Sequence, residues 1–236
     1  MKSTDPASAR RRHAKPLVAL LAVVAFGACT PPAATPPAVT ARGRTFVDEL
    51  NHRWFPLEPR AISVFEGEES LVHRLEVERV LPGTVQVAGI DCHALHKDVY
   101  LDDGLVETST EYYAQDSEGN VWKFGEESLE VHDGKLRRSE DSWRVGSGAA
   151  YPWIAFPAEM RVGDEFEGFN GIGIDLFVVA ATDVVAETPM GTFGPCLRLL
   201  ENPDDPEDRD ILLYAPGVGR VGETSTRGRV TLVDRR

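Results

Sequence analysis

Thirteen residues of this chain occur twice. Residues 55–67 read FPLEPRAISVFEG and residues 156–168 read FPAEMRVGDEFEG, with seven of the thirteen positions identical and no gap. Background composition gives about one such match. The same offset of 101 residues carries Tyr113-Ala114 onto Tyr214-Ala215, and each pair is followed by a Gly-x-Val, Gly119 and Val121 in one copy, Gly219 and Val221 in the other. Each half also holds one cysteine, Cys92 or Cys196. This spacing predicts an internal duplication, with one unit over residues 45–150 and the other over 151–236. The matched Phe, Pro, Glu and Arg residues then belong to the scaffold, and whatever is functional lies where the halves differ.

The period of the pattern sets the fold class. In residues 71–80, Leu71, His73, Leu75 and Val77 alternate with Val72, Arg74, Glu76 and Glu78, the signature of an antiparallel strand with one apolar and one wet face. Asp102-Asp103-Gly104, residues 116–120 (DSEGN) and Asp133-Gly134 are hairpin signals. Between them strands are predicted over 90–101, 105–114, 120–124 and 128–131, and in the second half over 174–188, 196–201, 210–214 and 223–233. The expected architecture is all-β: two related antiparallel sheet units forming a curved sheet, half-barrel or sandwich. One short helix is predicted over residues 45–54, with Thr45 as its cap and Asp48 three residues on.

The first forty residues belong to a different regime. Arg10, Arg11, Arg12 and Lys15 precede ten apolar residues, LVALLAVVAF, and then Gly27-Ala28-Cys29. That is a lipoprotein signal peptide over 1–28, too short in its apolar part for a lasting membrane span. Cys29 is the expected lipidation site, and residues 29–44 (CTPPAATPPAVTARGR) the proline-rich tether behind it. Acyl chains contribute about 0.8 kcal/mol per buried methylene, so the membrane partner is reached through the anchor. Thr30, in place of an aspartate that favours inner-membrane retention, points to the outer membrane where a cell has one, with the body in the periplasm or outside. The chain carries a formal charge of −13, and the body is more acidic still, because the leader removes five basic residues and only Asp5. Such a surface repels nucleic acid.

No stretch commits the chain to a reaction. No GxSxG, HExxH, Walker or CxxC motif occurs. The segment 91–96 (DCHALH) looks chemical, but on a strand Cys92 and His96 stand ~13 Å apart, too far to share a zinc, and His93 faces the other way. No metal site, cofactor or catalytic residue is assigned. Residues 201–210 (ENPDDPEDRD) read as an acidic, solvated hairpin tip without the spacing of a calcium loop. Cys92 and Cys196 leave two readings open, a disulfide across the repeats or two separately buried thiols.

Three blocks carry a resemblance. NHRWFPLEP (51–59), GTFGPCLRL (191–199) and LYAPGVGRV (213–221) resemble segments of bacterial exported proteins that open on YFPL-x-PG and continue with GTF-x-x-C and YAPGVGLV. The chain is similar to the TapB-like group of β-rich envelope proteins, departing where Pro59-Arg60 replaces Pro-Gly. The resemblance implies an all-β lipoprotein or secreted protein and transfers no catalytic residues. Three roles follow as expectations: binding of an apolar ligand or envelope protein in the concavity of the sheet, a metal-dependent or hydrolase-like enzyme using His93, His96 or the acidic loop, and a purely structural lipoprotein.

Overall fold

A computed structural model describes residues 41–236; the leader, Cys29 and all but the last four residues of the tether lie outside the described residues. Strands in the first half are β1 (Phe46–Val47), β2 (Asn51–His52), β3 (Phe55–Pro56), β4 (Ile62–Glu69), β5 (Val72–Val80), β6 (Val85–Val87), β7 (Ile90–Leu101), β8 (Gly104–Asp116), β9 (Val121–His132), β10 (Lys135–Arg138) and β11 (Trp143–Arg144). Then follow β12 (Trp153–Phe156), β13 (Glu165–Phe169), β14 (Ile174–Thr188), β15 (Gly191–Glu201), β16 (Asp210–Ala215), β17 (Gly219–Thr224) and β18 (Gly228–Arg235). The long strands form one antiparallel sheet in the order β10-β9-β8-β7-β5-β4-β18-β17-β16-β15-β14-β13. The protein is therefore all-β with a large curved sheet that does not close. Each half is a meander, and the two meanders join where β4 pairs with β18.

The curvature follows from who packs on whom. Trp153 of β12 pairs with Lys123 on β9, near one end of the sheet. Its ring stacks on Phe177 of β14, near the other end, at 5.6 Å, and its Nε1 donates to the Phe169 carbonyl at 3.0 Å. The sheet must curl for these ends to meet. At the centre, Phe55 stacks on Phe156 at 4.6 Å; the two matched phenylalanines of the sequence echo touch. Tyr113 and Tyr214 pack edge-on to Phe55 and Phe156 respectively, so both halves share one core with Val80, Leu95, Leu199 and Leu212.

The tyrosines also share a local geometry. Tyr113 lies between His93 on β7 and Lys123 on β9, with a register shift beside it. Tyr214 lies between Leu197 on β15 and Arg220 on β17, again with a register shift beside it. Lys123 and Arg220 thus stand at corresponding positions, each delivered inward where the ladder is irregular.

Two expectations are corrected. Residues 45–54 form no helix: Phe46 and Val47 pair with Asp116 and Gln115 on β8, and the chain then turns through the small β2–β3 hairpin. Leu50 and Trp54, four apart as on a helical face, are both buried in the central core, and tertiary packing overrides the local cap signal. The second correction concerns β5, whose faces are reversed. Glu76 is fully buried while Leu71 is 95% exposed at the hairpin tip. The strand's polar face is the inner one, because a buried ionic network waits for it there.

The repeated Phe-Glu-Gly blocks use their glycines differently. A Cβ on Gly168 would fall 2.6 Å from the Trp153 ring, whereas on Gly67 it would fall 1.8 Å from the Arg229 carbonyl oxygen of β18. Gly67→Ala is therefore expected to push β4 off β18 and to cost about 3 kcal/mol, read as a fall in the urea midpoint. An unchanged midpoint would show that the two strands tolerate separation. Of the other echoed residues, Glu159 and Arg161 form an exposed ion pair, while Glu58 meets Arg235 at 3.4 Å rather than Arg60.

Candidate functional site

The curled sheet encloses a cavity of about 470 Å³, within the range of small-molecule sites. Its composition is divided. Val80, Leu95, Phe156, Phe177, Leu199 and Leu212 give it an apolar wall, continuous with the shared core. Next to them, two residues along the same strands and so on the same face, stand charged side chains: Glu78 by Val80, Lys97 by Leu95, Glu201 by Leu199 and Asp210 by Leu212.

Two cations organise that charge. Lys123 Nζ donates to Glu111 and to Glu126, each at 2.6 Å. Burial disfavours its charge, but these carboxylates outweigh burial and hold the ammonium protonated far beyond its ordinary range. Arg220, 10% exposed, contacts Glu76, Glu78 at 2.7 Å and Glu223, and its guanidinium lies 4.1 Å from the centre of the Phe65 ring. Glu76 also forms an ion pair with Arg74 at 2.6 Å. Burial pushes the Glu76 carboxyl up, yet Arg220, Lys97 and Arg74 overcome it and bring the value down to about 2. For Glu78 burial wins over Arg220, and repulsion from Glu76 adds to it, so that carboxyl is raised. One arginine keeps one carboxylate firmly ionised and leaves its neighbour easier to protonate.

A different arrangement occupies the second half. Register places Phe166, Phe177, Glu201 and Asp210 side by side across β13, β14, β15 and β16, hence on one face. Phe177 is stacked between Trp153 and Phe166. Burial first, then Asp175 and Asp210, lift the Glu201 carboxyl to about 8. Burial, with Glu223 and Asp208, lifts Asp210 to about 6. Among the described residues neither carboxyl is met by a cationic side chain at ion-pair distance. Asp175, by contrast, accepts from the amides of Asn170 at 3.1 Å and Asn202 at 2.9 Å.

The residues singled out from the sequence lie elsewhere. His93 Nε2 donates to the Asp48 carbonyl at 2.9 Å, tying down the segment that fails to be a helix. His96, on the other face of β7, faces Thr110 at 3.0 Å and Asp98 at 3.2 Å. His52 plays the same tying role as His93, donating to the Pro157 carbonyl at 3.0 Å; burial lowers its pKa. Cys92 and Cys196 are free thiols with no exposed surface. Cys92 packs with Trp122 and Phe124, Cys196 with Phe65, Val221 and Leu232. They fill separate apolar clusters, so the disulfide across the repeats is not formed. Burial drives the Cys92 thiol up to about 12, the behaviour of a filler rather than a nucleophile.

The acidic stretch 201–210 does form a hairpin tip, pinned by Asn202, whose Oδ1 accepts from the Leu176 amide at 2.9 Å. Its two ends, Glu201 and Asp210, nonetheless turn into the cavity. Among the described residues no group of three or more His, Cys, Asp or Glu is placed to hold a metal ion. Sequence reasoning missed Lys123 and Arg220 because no fixed offset links them: the β8–β9 loop is longer than the β16–β17 turn. A cation one to four residues after the echoed glycines was the available signal. No protein-family model matches the chain, and no curated protein or solved structure matches it.

Proposed function

We propose that the protein is a lipid-anchored envelope protein, built by internal duplication, that binds a small amphipathic ligand in the cavity of its curved sheet without transforming it. The single observation carrying this reading is the cavity itself, lined by apolar side chains and, next to them along the same strands, by ordered charge. Binding sites of this size combine an apolar surface with a few oriented polar groups. The contact of Phe55 with Phe156 and the matched settings of Tyr113 and Tyr214 support the duplication. Leader, Cys29 and tether support the envelope address, with the anchor as the membrane partner.

The test uses the body of the protein and a neutral fluorescent amphiphile, N-phenyl-1-naphthylamine. Saturable binding near one equivalent is expected. Ala155, which is buried and lines the cavity, provides the control, because Ala155→Trp fills the space and is expected to weaken binding by about tenfold or more. Folding of the variant is checked by circular dichroism. Absence of saturable binding to the folded wild-type protein, or equal binding by the filled variant, would overturn the proposal.

A further inference from the structure

The charge lining the cavity is unbalanced. Eight carboxyl side chains border it, namely Glu78, Glu111, Glu126, Asp141, Asp175, Glu201, Asp210 and Glu223, against four cations, Lys97, Lys123, Arg220 and Arg235. Those cations are committed. Lys123 is held by Glu111 and Glu126, Arg220 by Glu76, Glu78 and Glu223, and Arg235 by Glu58. The Lys97 charge lies in the combined field of Glu107, Glu76, Glu111 and Glu126. Asp175 is satisfied by two amides. Asp141 keeps one buried oxygen without a partner; beyond it, Glu201 and Asp210 are left over, directly opposed across β15 and β16, both part-buried and lining the cavity.

Two like charges side by side repel, and a carboxylate partly withdrawn from water without a counter-ion is costly. With no cation supplied by the fold, a proton or a positively charged guest relieves that repulsion. The neighbouring wall suits a guest of a particular kind. The stacked rings of Trp153, Phe177 and Phe166 border Glu201 along the same row, and aromatic faces favour cations as well as apolar bodies. We infer that the ligand is an organic amine, its protonated nitrogen seated between Glu201 and Asp210 and its apolar body against the Trp153–Phe177 stack. This inference rests on the cavity being a binding site and names the chemical class of what occupies it.

The charges facing the seat set its response to pH. Around Glu201 are Asp175, Asp210, Glu223 and Lys123; around Asp210 are Glu223, Asp208, Arg227 and Arg74. The acids prevail in both groups and hold the two carboxyls up. An ammonium that displaces their protons binds more tightly as pH rises from 5 to 8, as long as the amine itself stays protonated.

Three probes with one apolar body separate the possibilities: 1-naphthylmethylamine, 1-naphthalenemethanol and 1-naphthoate, titrated into the protein by calorimetry at pH 5, 6.5 and 8. The amine is expected to bind about tenfold or more tightly than the alcohol at pH 8, and the naphthoate most weakly. Glu201→Gln and Asp210→Asn are each expected to remove most of that preference, so that the amine-to-alcohol affinity ratio falls toward one. Both substitutions relieve repulsion, so the variants are expected to fold. Equal binding of amine and alcohol, or a preference that survives both substitutions, would sink the amine seat and leave cavity binding standing. Tightest binding of naphthoate would move the head group to Lys97 and overturn the inference. Failure of all three to bind folded protein would reject cavity binding together with the seat.

Discussion

Arg220→Met is expected to be the most damaging single substitution in the core, lowering stability at pH 7 by about 3–5 kcal/mol. Methionine keeps most of the packing on Phe65, so the loss isolates the charge. Glu76, fully buried, and Glu78 and Glu223 beside it lose the guanidinium that all three contact. The pH dependence makes the cause visible. In the wild-type protein the Glu76 carboxyl is depressed from 4.5 to about 2. Its contribution is therefore fully present above pH 4.5 and is lost as pH falls through 2. In the variant burial governs Glu76, its value rises above the ordinary one, and acidification from pH 7 becomes stabilising. Urea unfolding at pH 7, 5.5 and 4 is expected to show the gap between the two proteins narrowing on acidification. A gap constant with pH would mean that Arg220 acts through packing alone.

Trp153→Ala is expected to cost a further class of stability, about 3–5 kcal/mol, by releasing the two ends of the sheet from each other. The residue joins β9 through its backbone, β14 through its ring and β13 through its indole N–H. Its removal leaves Phe177 with Phe166 alone and opens the cavity on that side. Trp153→Phe retains the stack and loses one hydrogen bond, so about 1 kcal/mol is expected. Hydrogen exchange adds a local readout: amides of β13 and β14 are expected to lose protection well before those of β4 and β18. Uniform loss of protection over the whole sheet would contradict the view of Trp153 as a local tie.

Much of the sheet could be read from the chain. Strand β7 runs over residues 90–101 and β14 over 174–188, where alternation and flanking turns had placed them, because Asp102 and Asp133-Gly134 carry turn chemistry that needs no tertiary context. The Ser70-Leu71 turn was missed since it takes positive φ at both residues without glycine or asparagine. The inner side of β5 was read backwards for a deeper reason. Alternation tells which residues share a face, but the sign of that face is set by Arg220, well over a hundred residues away. The helix over 45–54 failed likewise, Phe46 being claimed by Trp122 and Phe124 and Leu50 and Trp54 by the shared core. The candidate site was hardly legible at all. Glu201 and Asp210 sit at the ends of a stretch whose middle is solvated, and a stretch scored by composition reports its middle.

The joint between β4 and β18 bears on how the chain reaches this fold. Glu66 pairs with Thr231, and Ile62 exchanges hydrogen bonds with Arg236. The middle of the sheet is therefore assembled from its first and last long strands in sequence order, with every other long strand lying between them along the chain. Contacts so distant carry a large loop-closure cost and form late. Until β18 has emerged, β4 presents one unpaired edge and Gly67 has no partner to approach. By that argument the two meanders come together as a single curved sheet only once the last strand pairs with β4.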